Sequence, residues 1–227
     1  MKKPFYYGLL FTALVICKSS AFAQIGVGIN FDNTDVNYGG KLRANFTDPN
    51  YLYNTWAKGS VLQADGKAFT NLDMLFDMAK SRPLFKAADG TTQAFAVPIA
   101  QFTIASPDDN ATKSTKTFRR GFAPTDGATE ATYYEVLADG NLTLLKLTEM
   151  KRFYERAPGS LYETKQIRPV YTYYVAANKT LTKLRREKKF VVALLKDKMP
   201  DIEKTISKYN LQHEEDLTAL FNSYNTL

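Results

Sequence analysis

The chain has 227 residues, 44% of them apolar and 13% aromatic, with 12 Gly, 9 Pro and a formal net charge of +7. That length and apolar fraction fit one domain of moderate size and exclude a disordered chain, and the lack of a G-X-Y or heptad period excludes a fibre. One Cys and one His are too few for zinc, copper or iron sites and leave little room for His-dependent catalysis.

The chain opens as an export signal. Lys2 and Lys3 form a basic stretch, Phe5 to Cys17 an apolar run, and Ala21-Phe22-Ala23 the small-x-small pattern that signal peptidase reads. The run of 13 residues is shorter than the roughly 20 needed to cross a bilayer. Cys17, between Ile16 and Lys18, fits a lipidation site poorly. Residues 1–23 therefore read as a signal peptide cleaved after Ala23. Cleavage would leave 204 residues, remove Cys17 and lower the net charge from +7 to +4. The expected location is periplasmic or outer-membrane-associated, and the remaining sequence contains no second run long enough for an integral membrane helix.

Residues 24–57 read as an irregular segment rich in Gly, Asn, Asp and Tyr. From residue 58 to 184 the pattern is β. Asp-Gly pairs, which favour tight turns between antiparallel strands, occur at Asp65-Gly66, Asp89-Gly90, Asp126-Gly127 and Asp139-Gly140. Strand-like flanks mark the first, second and fourth as hairpins: Gly59–Ala64 with Ala68–Phe76, Pro83–Ala87 with Thr92–Val97, and Tyr133–Ala138 with Leu142–Leu147. The third lies in a polar stretch and reads as a loop. A later pair, Val170–Ala176 and Lys179–Leu184, turns at Ala177-Asn178. The expected class is mainly β: an antiparallel sheet, sandwich or partial barrel of about nine to eleven strands.

Residues 185–227 change to helical spacing. Phe190–Leu195, Asp201–Tyr209 and Glu214–Tyr224 read as three short helices, the last with Leu217, Leu220, Phe221 and Tyr224 on one face. Helices this short need to dock on the β domain or on a partner. Charge follows the same division. Residues 24–150 carry 12 basic and 14 acidic side chains, whereas residues 151–208 carry 15 basic and 6 acidic.

No catalytic, cofactor or metal site is expected. His213 sits in a polar stretch beside a helix start, and no G-x-S-x-G elbow is present. Asp32, Asn33, Asp35 and Asn37 fail the calcium-loop pattern, because Ala44 occupies the twelfth position counted from Asn33. A glycosidase needs only two carboxylates, and Glu135, Glu149, Glu155 and Glu163 lie on or near predicted strands.

The candidate interaction surface combines the basic junction Lys183, Arg185, Arg186, Lys188 and Lys189 with the aromatic group Tyr51, Tyr53 and Trp56. Its expected partner is an envelope protein, with lipid head groups and anionic glycans as further candidates. Nucleic acid is not expected, since no binding module surrounds the basic cluster.

Tyr51 to Val61 (YLYNTWAKGSV), Ala64-Asp65-Gly66-Lys67, Tyr134-Glu135-Val136-Leu137 before Asp139-Gly140, and the tail from Lys188 to Leu227 resemble small exported proteins common in the Bacteroidota. The resemblance implies export into a Gram-negative envelope and carries no catalytic residue. The functional expectation is a non-catalytic envelope protein with a binding or structural role. Its rivals are a carrier of an apolar, lipid-like ligand between a curved sheet and the helices, and a His-independent enzyme acting on glycans.

Overall fold

The computed structural model describes residues 48–107, 114–159, 161–177 and 180–227. The signal sequence, its cleavage site and the Asp32–Gly40 stretch lie outside the described residues. One open antiparallel sheet of ten strands carries the fold, followed by three short helices. The strands are β1 (Ala57–Gln63), β2 (Ala68–Asp77), β3 (Arg82–Lys86), β4 (Thr92–Ala94), β5 (Ile99–Ala105), β6 (Thr115–Arg119), β7 (Tyr134–Ala138), β8 (Thr143–Arg156), β9 (Glu163–Ala177) and β10 (Thr180–Lys183). Their spatial order is β10-β9-β8-β7-β6-β5-β1-β2-β3-β4. The strands that end this order are short, β10 of four residues and β4 of three.

The three predicted Asp-Gly hairpins form, joining β1 to β2, β3 to β4 and β7 to β8. Asp126-Gly127 is tighter than the expected loop. Consecutive positive φ values of 52° and 86° close an isolated bridge between Thr125 and Ala128, as a mirror-image two-residue turn does. The largest departure from the sequence reading is the length of β8 and β9. They pair without a register break from Thr143↔Ala176 to Arg156↔Glu163, well beyond the predicted Leu142–Leu147 and Val170–Ala176.

The sheet curls at the β1–β6 end. Phe76 on β2 lies three strands from Phe118 on β6, a distance of about 14 Å along a flat sheet. Their ring centroids are 4.7 Å apart, and those of Phe76 and Phe102 on β5 are 5.0 Å apart. Val61, Met74, Phe76, Phe102, Ile104 and Phe118 thus fill a concave face.

The same face of β7–β9 is covered differently. Helices α1 (Lys188–Leu195), α2 (Ile202–Thr205, continued by a 3-10 turn over Ile206–Lys208) and α3 (Glu214–Asn225) dock there. Val191, Leu195, Ile202, Ile206, Leu217, Leu220 and Phe221 pack on Ala138, Leu144, Tyr173 and Val175. A bulge between Val136 and Ala138 lets both Leu137 and Ala138 contact this cluster. Asn225 pins the end of α3 to the β7–β8 turn, accepting from Leu142 N at 3.1 Å and donating to Leu142 O at 2.9 Å. Alternation sends Tyr134, Leu145, Leu147, Tyr174 and Ala176 to the opposite face, where Phe122 and Ala128 of the β6–β7 connection cover them.

Candidate functional site

Two places stand out once the two apolar clusters of the inner face are located. The first is a seam of charge between them. Cross-strand pairing sets Phe118 opposite Glu135, Glu135 opposite Lys146 and Lys146 opposite Tyr173, so these side chains share a face. Lys116 of β6 pairs with Glu135. Lys146 Nζ lies 2.8 Å from Glu135 Oε2 and 2.9 Å from Glu214 Oε1, in the first turn of α3. The Tyr173 hydroxyl donates to Glu214 Oε2 at 2.7 Å, and Arg186 stacks over the Tyr173 ring at 4.9 Å.

Only 8% of the Lys146 and Glu135 side chains remains exposed. Burial opposes the Lys146 ammonium, but Glu135 and Glu214 outweigh it and hold its pKa above the ordinary lysine value. Burial likewise opposes the Glu214 carboxylate, and the hydrogen bonds from Lys146 and Tyr173 outweigh it and hold its pKa below the usual range. Desolvation and the bond to Glu214 push Tyr173 up to about 12. At neutral pH Lys146 is thus a cation rather than a nucleophile, and Glu214 an anion rather than an acid. The seam is an electrostatic clasp joining helix to sheet. Its sequence trace is one charge set in an apolar run on each side of a predicted hairpin, Glu135 within YEVL and Lys146 within LLKL.

The second place is the outer part of β8 and β9. Their pairing with outside strands ends at Lys146 with β7 and at Tyr174 with β10. Ten paired rows, Leu147↔Thr172 to Arg156↔Glu163, continue as a two-stranded arm reaching roughly 30 Å. Lys151 to Arg156 are exposed throughout. Tyr154 is 63% exposed, and the tip residues Leu161 and Tyr162 are 86% and 82% exposed. The arm's acids are paired: Glu149 with Lys151 at 3.2 Å, Glu155 with Arg168 at 2.5 Å and Glu163 with Arg156 at 3.4 Å.

The predicted site residues do not form one surface. Lys183 lies 3.4 Å from Asp126, Arg185 stacks over Phe190 at 6.0 Å and Arg186 donates to Gln212 O at 2.9 Å. Lys188 and Lys189 are exposed in the first turn of α1. Tyr51, Tyr53 and Trp56 are half-buried on the other half of the sheet; Tyr51 bridges Asp77, and Tyr53 borders the seam, its pKa raised by burial and by Glu135. His213 is the exposed N-cap of α3.

Of the four glutamates considered for glycan chemistry, Glu135 belongs to the seam and the other three are paired on the arm. Among the described residues no group of three or more His, Cys, Asp or Glu is placed to hold a metal ion, and no helix is long and apolar enough to cross a membrane. A hollow of about 380 Å³ lies beside Arg119, Arg120, Phe122 and Asn141. There, Arg119 forms a two-point pair with Asp139 at 3.0 and 2.7 Å.

Compared with models of known families, with curated proteins and with solved structures, the chain matches none.

Proposed function

We propose that this is an exported, non-catalytic binding protein of the cell envelope that engages another envelope component through the β8–β9 arm. The observation that carries the reading is the arm itself. A lone two-stranded ribbon is marginally stable in water, yet this one extends ten rows past its neighbours and leaves Tyr154 and Tyr162 63% and 82% exposed. The helices offer less for contact, because their apolar faces are occupied by the sheet. The clasp of Lys146, Glu135 and Glu214 uses its charges on one another. The hollow by Arg119 has Phe122 and Ala176 as its only large or aliphatic apolar lining, beside Arg119, Arg120, Asn141 and Thr143, and a smaller one of about 120 Å³ beside Phe95 and Tyr133 falls short of the roughly 300 Å³ of a ligand pocket. Neither of these two hollows, among the described residues, supplies the enclosure an apolar carrier needs. Export rests on the basic, apolar and Ala-Phe-Ala sequence at residues 2–23.

A photo-crosslinking amino acid placed at Tyr154 or at Lys188, in protein expressed in its own host, tests the reading. Adducts formed from Tyr154 and absent from Lys188 are expected. Adducts from Lys188 alone would transfer the contact to the basic junction, and none from Tyr154 would overturn the arm as the contact element.

A further inference from the structure

We propose that the component met by the arm is an anionic lipid surface, which the tip enters with Leu161 and Tyr162 while cations on one face of the ribbon meet the head groups. This rests on the reading of the arm as the contact element and names what it contacts.

The register divides the arm into two unlike faces. Strict alternation through β8 and β9 puts Arg156 and Glu163, Tyr154 and Lys165, Arg152 and Ile167, then Met150 and Pro169 in successive rows on the side that carries the helices. The opposite side holds Glu155 and Thr164, Phe153 and Gln166, Lys151 and Arg168, then Glu149 and Val170. On that opposite side both acids are matched by cations. On the helix side Glu163 is matched by Arg156, which leaves Arg152 and Lys165 with no ion-pair partner among the described residues. The helix side therefore combines a surplus of positive charge with Tyr154, Ile167 and Met150.

The order along the arm fits a bilayer surface. The uncharged tip comes first, with Ala157, Pro158, Gly159, Leu161 and Tyr162. The row of Tyr154 and Lys165 follows roughly 10 Å behind, at about 3.3 Å per residue. Apolar groups of interfacial segments sit about 5–10 Å into the boundary between head groups and acyl chains, which leaves that row at the depth of the phosphates. Tyrosine is favoured at this level because its ring is apolar and its hydroxyl wet. A folded protein partner fits less well. A standard interface buries about 800 Å² on each side around an apolar centre, whereas the large apolar side chains of this tip are two in number.

Sedimentation of the purified protein with vesicles, of phosphatidylcholine alone or of equal parts phosphatidylcholine and phosphatidylglycerol, tests the proposal. Binding to the anionic vesicles is expected to be at least tenfold tighter and to weaken with salt. Leu161→Ser with Tyr162→Ser should weaken it by about tenfold or more, the scale of exposing one large apolar side chain. Arg152→Gln with Lys165→Gln should weaken it by about 25-fold, at about fivefold per cation. All these positions are exposed, and circular dichroism verifies that the variants fold.

Equal binding to both vesicles, or a tip variant that binds as well as the parent, overturns the lipid proposal. No vesicle binding together with protein adducts from Tyr154 also overturns it while sparing the arm as a contact element. No vesicle binding and no adducts from Tyr154 removes both.

Discussion

β8 and β9 form one antiparallel pair with an unbroken register, yet its two ends live in different surroundings. From Thr143 to Leu147 every β8 residue is buried, with helices against one face and the β6–β7 connection against the other. From Lys151 to Arg156 every residue is exposed, and the cohesion comes from cross-strand pairs such as Arg156 with the directly opposite Glu163, each worth about 0.2–1 kcal/mol. Stability is therefore concentrated at the base of the pair and accessible surface at its end. Substitutions should lose their effect on folding along this line, and each step can be measured.

The largest loss belongs to the clasp at the base. Lys146→Ala leaves the buried Glu135 with only Lys116 and deprives Glu214 of its cation, and removing one member of a buried ion pair costs about 3–5 kcal/mol. Urea unfolding should show the loss as a lower midpoint. Replacing both charges, Lys146→Met with Glu135→Leu, should recover more than half of it, since the penalty is mainly that of the stranded partner. A double variant as unstable as the single one would show that the network itself supplies the stability.

Next comes Gly59 in the middle of the sheet. A Cβ there would lie 2.3 Å from Thr103 O and 2.7 Å from Met74 Sδ. The sulfur end of Met74 can move, but the carbonyl is fixed in the β1–β5 ladder. Gly59→Ala should therefore cost about 1–3 kcal/mol, again read from the urea midpoint.

These sites differ in how far the sequence alone reveals them. The hairpins at Asp65-Gly66, Asp89-Gly90 and Asp139-Gly140 are legible because turn chemistry and strand alternation are both local. The helices are legible because Leu217, Leu220, Phe221 and Tyr224 repeat at helical spacing. The clasp needs the register that places Glu135 opposite Lys146, and then a helix 68 residues further on. The arm escapes for another reason. Alternation marks a strand with one wet and one dry face, and the stretch from Lys151 to Arg168 is wet on both. Pro169 further masks it, although it sits in the paired row with Met150. A partial barrel is among the expectations, but the place of the curl is not legible, because it arises from aromatic side chains packed across non-neighbouring strands.

The clasp also sets a smaller, pH-dependent effect. The folded pKa of Glu214 lies below that of an exposed glutamate, so the folded state holds this proton less tightly than the unfolded state. Its contribution is complete above the ordinary value of about 4.3 and is lost as pH falls through the depressed folded value. Tyr173 acts at the other end. Raised from 10.0 to about 12, it contributes fully below pH 10 and loses that contribution as pH rises towards 12. Glu214→Gln should flatten the acid limb of the stability curve, and Tyr173→Phe the alkaline limb. Glu214 is partly exposed, so screening limits its effect to about 1 kcal/mol or less. Unchanged limbs would place the acid sensitivity elsewhere, for instance at Asp139, whose carboxyl Arg119 holds low, and the alkaline sensitivity at another tyrosine such as Tyr224, pushed up to about 12 by burial and the bond to Asp197.

The smallest effect on folding belongs to the arm. Leu161→Ser and Tyr154→Ala remove side chains that face solvent, so each should change stability by no more than about 0.5 kcal/mol. Amide exchange resolves the same gradient without substitution. Leu144 and Leu145 lie in the core on a strand flanked by both β7 and β9 and should open only with the whole domain, whereas amides from Arg152 to Arg156 open by separating two strands. Their protection should therefore decline steadily from the clasp to the tip. If the arm instead shares the protection of the base, an internal source of rigidity holds it. If the decline is present in the free protein and disappears on anionic vesicles, the surface that binds the arm also orders it, and the two ends of the pair come to resemble one another only in the bound state.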